Sequence, residues 1–520
     1  MLRVMILDRD ICYRALMTRD ARFDGQFFTC VRTTGIYCRP ICPARQPNLE
    51  NVIFLPSAAA AQEAGFRPCL RCRPETSPDI AAWHGTSSTV SRAVALIAAG
   101  ALNEDDVDGL AGRLGMGERQ LRRLFQKHLG ASPKAVAQTR RVLFAKQLLT
   151  DTRLSMADVA LASGFGSLRR FNDTFRTLYA RPPSSLRRAG AASAAVGSAI
   201  TLTLPYKPPY DWAAMVGFLA ARAIPGVEQV EPGLYARTIA IGGAHGTLAV
   251  RPAGPREAAN ALVATIRFPV ITALPAIVER IRQIFDLRAD PAVIAAHLSV
   301  DPHLARLVAA RPGLRVPGAW DGFELAVRGI LGQQITVRAA TGLAGKLVAA
   351  YGTPLSPAQG GDAPGLRAVF PAPEQLAGAN LAATLGMPGA RAAALGSLAA
   401  AAAASPRLFE PNQGLEEAVA RLKALPGIGE WTAQYIAMRA MREPDAFPAA
   451  DIGLLRALAT PAGRPTPAQL LARAAAWRPW RAYAALHLWM SDAPASPMEK
   501  PNELPARPPA LPDRRSAARL

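Results

Sequence analysis

The chain has 520 residues, half of them hydrophobic, with 60 Lys and Arg against 39 Asp and Glu, a formal net charge of +21. That length fits three or four domains with large cores and excludes a single small module. The charge excess favours a polyanionic partner. The N-terminal apolar stretch meets Asp8 and Arg9 too soon for a secretory signal, and the Ala-rich run 392–404 is too short for a membrane span. A soluble, cytoplasmic protein with no membrane partner is expected. All six cysteines (12, 30, 38, 42, 69 and 72) lie near the front. In a reducing compartment such a cluster points to metal or thiol chemistry rather than to disulfides.

Residues 1–80 carry Cys38-x3-Cys42 and Cys69-x2-Cys72, two short pairs across a longer loop. Four thiolates so spaced suit tetrahedral zinc, which on spacing alone is most often structural. Cys12 and Cys30 fall outside the pattern and read as buried small residues or free thiols. The segments Val31–Pro40 and Gly65–Cys72 resemble the N-terminal domain of the Ada regulators of the response to alkylation. The resemblance implies that Cys38, Cys42, Cys69 and Cys72 hold zinc and that Cys38 accepts a methyl group from a DNA methylphosphotriester. It also implies Thr34, Arg45 and Arg67 as DNA contacts. Zinc would keep the thiolate deprotonated and nucleophilic at neutral pH, and Arg39, Arg45, Arg67 and Arg71 are placed to hold the phosphates.

Residues 87–188 repeat one pattern. A short amphipathic helix over Val107–Leu114, a turn at Gly115-Met116-Gly117 and a basic helix over Glu118–Leu129 come first. Met156–Ser163, Gly164-Phe165-Gly166 and Ser167–Tyr179 follow, with Val136–Leu149 as a bridging helix. Helix, glycine-containing turn and basic helix is the helix-turn-helix signature. Leu161–Ser167 and Phe171-Asn172-x3-Arg176 resemble the AraC-type DNA-binding domain. Each second helix is then expected in a major groove, with Arg119, Gln120 and Arg123, and Ser167, Arg169 and Arg170, reading DNA. Arg suits guanine edges and Gln adenine edges.

Residues 189–199 are small, uncharged and unpatterned, and read as a flexible linker. Strands are expected at Ile200–Leu204, Tyr235–Ile241 and Thr247–Val250, giving a small α/β subdomain over about 200–285. From Asp301 the patterns are helical, within a helical domain over 286–490. The stretch 491–520, rich in Pro, Ala and Arg, reads as a disordered tail.

Leu425-Pro426-Gly427-Ile428-Gly429 is a tight turn between two periodic helices, and its glycines permit close approach to a phosphate. On these residues alone Asp451 reads equally as a helix N-cap and as a reactive carboxylate. The unit resembles the helix-hairpin-helix DNA glycosylases. The wider stretch 200–490 resembles the AlkA-type 3-methyladenine glycosylases, through Pro208–Trp212, Gly217–Ala223, Arg311–Arg315, Arg328–Gln334, Leu385–Pro388 and Trp477–Arg481. The resemblance implies that the target base is flipped into a pocket. It implies Asp451 as catalytic residue, stabilising a developing oxocarbenium sugar. Phe218, Arg222, Trp431, Tyr435 and Trp489 are implied as the base pocket, and Gln333, Gln334, Gly427 and Gly429 as DNA contacts. Gln334 stands where the family places an apolar wedge, and Ile452 where an aromatic often follows the Asp. Strand-cutting relatives carry a Lys where this chain has Trp431, so base excision without a lyase step is expected.

The expected fold is therefore multidomain and mainly α: a zinc-thiolate α+β module, a helical double helix-turn-helix, and an α+β subdomain joined to an all-α helix-hairpin-helix glycosylase. Zinc, a monovalent cation at the hairpin and no organic cofactor are expected, with alkylated DNA, promoter DNA and RNA polymerase as partners. No Cys follows Cys72, which excludes the second Ada-type transferase site with its Pro-Cys-His-Arg nucleophile. The rival reading is a damage-responsive transcription factor whose C-terminal half binds without turnover.

Overall fold

A computed structural model describes residues 8–78, 88–187, 199–255, 257–356, 365–410, 414–461 and 463–492. The expected linker, apart from residue 199, and the expected tail beyond 492 lie outside the described residues.

The first segment begins with α1 (Arg9–Met17), whose N-terminus is capped by the Asp8 carboxylate. Strands β1 (Phe28–Val31), β2 (Ile36–Cys38), β3 (Val52–Leu55) and β4 (Arg67–Pro68) form a sheet in the order β3-β1-β2-β4. Its pairs are antiparallel except β2 with β4. That parallel pair sets Tyr37 opposite Pro68, which brings Cys38 at the end of β2 beside Cys69 just after β4. Helix α2 (Ala58–Glu63) supplies Ala61 to a core of Phe28, Cys30 and Tyr37. So small a core leaves the segment in need of a further source of stability.

Seven helices follow: α3 (Ser88–Ala98), α4 (Ala101–Glu104), α5 (Val107–Arg113), α6 (Glu118–Leu129), α7 (Pro133–Asp151), α8 (Met156–Ala162) and α9 (Leu168–Tyr179). The two units have one construction. Helix α6 buries Leu121, Phe125 and Leu129, and α9 buries Phe171, Phe175 and Tyr179, each set at i, i+4 and i+8. The turns need glycine: Gly115 and Gly164 have φ of +67° and +78°. Ser167 caps α9 through the Arg170 amide rather than joining it. The bridging helix is longer than its apolar pattern, because Ser132 caps it and Pro133 starts it.

The C-terminal part opens with a five-stranded antiparallel sheet. Its strands are β5 (Ile200–Pro205), β6 (Glu228–Glu231), β7 (Leu234–Ile241), β8 (Ala244–Pro252) and β9 (Ala261–Arg267), in the order β5-β9-β8-β7-β6, with α10 (Trp212–Ala220) between the first two in sequence. Strands β6 and β9 are not expected from the pattern. β6 is a polar edge strand, and β9 is an apolar run without alternation at an interior place in the sheet, between β5 and β8. Helices also begin earlier than expected, with α11 (Leu274–Ile284) and α12 (Pro291–Leu298), then α13 (Pro302–Ala310), α14 (Gly322–Leu331) and α15 (Val337–Tyr351). After a small two-stranded sheet (Thr353–Pro354 with Ala368–Val369) come α16 (Pro373–Leu376), α17 (Leu381–Leu385), α18 (Gly389–Ala404), α19 (Leu415–Lys423), α20 (Glu430–Arg439), α21 (Ile452–Ala457), α22 (Pro467–Ala474) and α23 (Arg481–Asp492). One large apolar core unites α12 to α23, while α11 packs in the cluster shared with the five-stranded sheet. No described helix is long and apolar enough to cross a membrane.

The three parts touch. Glu75 and Lys146 form a buried ion pair at 2.8 Å that ties the first segment to α7. Arg73 adds bonds to Thr150 and Asp151. Phe171, Phe175 and Tyr179 share an apolar cluster with Ile200, Leu202 and Tyr235 of the five-stranded sheet. Gln147 donates to the Thr203 carbonyl at 2.8 Å, and Arg113 reaches Glu410 at 2.9 Å.

Candidate functional site

The sulfurs of Cys38, Cys42, Cys69 and Cys72 all lie within 4.8 Å of one another. A tetrahedral ion at roughly 2.3 Å from each sulfur needs edges of about 3.8 Å, so the set fits zinc after a small contraction. The four are not equivalent. Cys42, Cys69 and Cys72 are buried, while Cys38 is partly exposed. The Arg39 amide donates to the Cys72 sulfur at 3.3 Å and the Arg71 amide to the Cys69 sulfur at 3.4 Å. Such N–H···S bonds draw charge from a thiolate. Cys38 is the one of the four that is partly exposed, and it takes neither of these two bonds. Cys12 and Cys30 stand apart, and burial pushes their thiols up to about 11 and about 12, which leaves them inert at neutral pH.

Thr34, Arg45, Arg67 and Arg71 are exposed around this cluster. Arg39 departs from the expectation. Its guanidinium turns inward to pair with Asp24 and to donate to the Cys72 carbonyl and the Thr76 hydroxyl, so it braces the cluster instead of reaching a phosphate. On the helix-turn-helix units Arg119, Gln120 and Arg123, and Ser167, Arg169 and Arg170, are all exposed. Thr34, Arg67, Ser167, Arg169 and Arg170 line one open cleft of about 1080 Å³.

In the hairpin between α19 and α20, Gly427 has φ +79°, and a Cβ there would stand 2.4 Å from that of Ala394. Gly429 has ordinary φ and open space. Gly427→Ala is therefore expected to destabilise this part by about 1–3 kcal/mol, seen as a lowered calorimetric transition, while Gly429→Ala, at the N-cap of α20, lowers it by less. Gln333 faces the hairpin: its amide donates to the Gly427 carbonyl at 2.8 Å and the Thr432 hydroxyl at 3.3 Å. Gln334, at φ +59°, is exposed at the neighbouring turn, with Ile335 half-buried beside it.

Asp451 does two things at once. Its Oδ1 accepts the Leu454 amide at 3.0 Å and caps α21. The same carboxylate accepts the Trp489 indole N–H on Oδ1 at 2.9 Å and the Trp431 indole N–H on Oδ2 at 2.8 Å. Three neutral donors fix it, and among the described residues it has no ion-pair partner, so its negative charge is oriented but not neutralised. Trp431 stacks on Tyr435, with centroids 5.1 Å apart and planes 12° from parallel.

Further groups come from α10 and the residues just past its end. Phe218 carries the Arg222 guanidinium 3.8 Å over its ring. Arg222 is fixed through its carbonyl by Arg328, which also pairs with Glu228 and Glu324. Arg439, from the end of α20, lies over both Phe218 and Tyr435. Burial raises the Tyr435 phenol, but Arg439 and Arg222 outweigh it and hold the group below its ordinary range. Sequence reasoning finds the rings and the carboxylate but misses Arg439. The available signal was its position four residues after Tyr435 on the same helical face.

Residues 11–75 match the metal binding domain of Ada, residues 110–189 a helix-turn-helix domain, and residues 201–321 the AlkA N-terminal domain. A probable bifunctional transcriptional activator/DNA repair enzyme AlkA of Mycobacterium tuberculosis is 43% identical, over 93% of this chain and 96% of its own. DNA-3-methyladenine glycosylase 2 of Escherichia coli is 39% identical over 56% of this chain and 97% of that protein. The bifunctional transcriptional activator/DNA repair enzyme Ada of the same organism is 35% identical over 32% of this chain and 45% of that protein.

Proposed function

We propose a mechanism from the premise that this chain belongs to the family of bifunctional transcriptional activator/DNA repair enzymes in which Ada-like and AlkA-like parts are fused. It repairs methylphosphotriesters by transfer to its own cysteine, regulates transcription, and excises alkylated purines of the 3-methyladenine type. The sequence divides for these tasks into residues 1–80, 87–188 and 200–490.

At the front, the Cys38 sulfur attacks the methyl carbon. The S–C bond forms, the C–O bond breaks, and the phosphodiester leaves with the electron pair. Zinc bound by the four sulfurs would keep the attacking thiolate deprotonated. Arg45, Arg67 and Thr34 hold the backbone. The exposed faces of α6 and α9 read promoter DNA, and as an activator the protein engages RNA polymerase.

At the back, the purine is extruded and stacks on the Trp431–Tyr435 wall, and Gln334 fills the gap it leaves. The glycosidic bond breaks with its electrons passing to the base. Asp451 stabilises the cationic sugar that remains, and water completes the hydrolysis. No amine stands at position 431, so the strand stays intact. The observation that carries this half is the un-neutralised Asp451 carboxylate held by two indoles beside a stacked aromatic pair. The test is release of free methylated purine from alkylated duplex. Release with the strand uncut supports the reading; binding without release returns the C-terminal half to a damage sensor.

A further inference from the structure

Trp431, Tyr435 and Arg439 recur at i, i+4 and i+8 on one face of α20. The carboxylate of Asp451 meets this row at Trp431. The guanidinium of Arg439 closes its other end, 5.2 Å from the Tyr435 centroid and 4.8 Å from that of Phe218 of α10. A purine whose sugar lies at Asp451 and whose ring lies along the row points its distal edge at this cation.

Arg439 is only 6% exposed. Its Nε and Nη2 donate to the carbonyls of Pro317 and Gly318 at 2.8 and 2.9 Å, and its Nη1 to the Tyr435 hydroxyl. All three partners are neutral, and no carboxylate pairs with it among the described residues. Burying a cation without a counter-ion costs several kcal/mol in general. Holding a loop through two carbonyls does not require a full charge. Because the Tyr435 oxygen accepts from Arg439, its own proton remains free to face a base.

We infer that Arg439 is a leaving-group residue of the excision reaction. Its charge, through space and through the Tyr435 hydroxyl, stabilises the electron pair that enters the purine as the C1′–N9 bond breaks. The electron flow is the same for both classes of lesion. A cationic purine departs neutral. A neutral purine departs as an anion and takes a proton from solvent. In each case water adds to C1′ and releases a proton.

The two classes use the charge differently. A cationic purine is repelled when bound and relieved in the transition state. A neutral purine is unaffected when bound and attracted in the transition state. Removing the charge therefore slows the bond-breaking step for both, but tightens binding only for the cationic one.

The inference rests on the excision reading, and the experiment separates the two. Single-turnover rates and half-saturation concentrations are measured on duplexes containing 7-methylguanine or hypoxanthine, for wild type, Arg439→Gln and Arg439→Lys. Arg439→Gln is expected to lower the maximal rate on both bases by about 30-fold, the order expected for one fixed charge near a developing one. On 7-methylguanine the half-saturation concentration falls in step, so the ratio of rate to half-saturation is nearly unchanged. On hypoxanthine it stays put and the ratio falls. Arg439→Lys, which keeps the charge but loses the fork to the two carbonyls, keeps the wild-type pattern. Equal loss of the ratio on both bases, or a Lys variant as impaired as Gln, reduces Arg439 to a loop anchor and overturns the inference. Wild type inert toward both bases sinks the excision reading and this one with it.

Discussion

Asp451→Asn is expected to lower single-turnover release of methylated purines by about 10³-fold, the upper range for loss of one preorganised electrostatic group, while the folded protein survives. The substitution separates the two tasks of this side chain. Asn is as good an N-cap as Asp, so it still accepts the Leu454 amide and α21 keeps its start. What goes is the negative charge, and with it one of the two indole bonds. An amide has a single acceptor oxygen, and Leu454 and Trp489 both donate to Oδ1, so keeping the cap sets the NH2 at the Oδ2 place, donor against donor with the Trp431 N–H. Calorimetry on the variant should show little change beside that loss of rate. A full rate in Asp451→Asn would leave the carboxylate as a cap and nothing more.

Substitution of Cys38 is expected to abolish methyl uptake altogether. After incubation with methylphosphotriester DNA, wild-type protein gains one methyl on the peptide containing Cys38, and Cys38→Ala gains none. Since Ala also removes a metal ligand from a segment with a small core, the stricter variant is Cys38→His. It keeps a zinc-competent Cys3His set but offers no thiolate. Methyl uptake elsewhere in Cys38→His would move the acceptor to another sulfur. The same transfer converts a thiolate to a thioether and removes one negative charge from the cluster. With Arg45, Arg67 and Arg71 exposed around it, we expect methylated protein to hold a target promoter on the order of tenfold more tightly, about 1.4 kcal/mol. Equal affinity of the two forms would discard charge relief as the switch.

The chemistry at both ends is written in short, local patterns. The Cys pairs, the glycine turns and the Asp after the hairpin can each be read from a few adjacent residues, because spacing along one strand or helix fixes them. Contacts across the chain are not written locally. Arg39 sits between two metal ligands and looks like a phosphate binder, yet Asp24 draws it inward. Arg439 looks like one more surface arginine at a helix end, and only the tertiary fold carries Pro317, Gly318 and Phe218 around it. Trp431 and Trp489 are legible as rings, but not as the donors that orient a carboxylate from two different helices. Strand β9 lacks the two-residue alternation because its interior place, flanked by β5 and β8, buries nearly all of it.

Helix α7 holds the Glu75 carboxylate with Lys146, and with the very next residue, Gln147, holds strand β5. The consequence is mechanical. A protease that nicks the chain between α9 and β5 would cut a tether without releasing its two ends, and the fragments would travel together as one particle. Co-elution of the two fragments on gel filtration after such a nick is the expected result, and their separation would show these contacts too weak to hold the parts together.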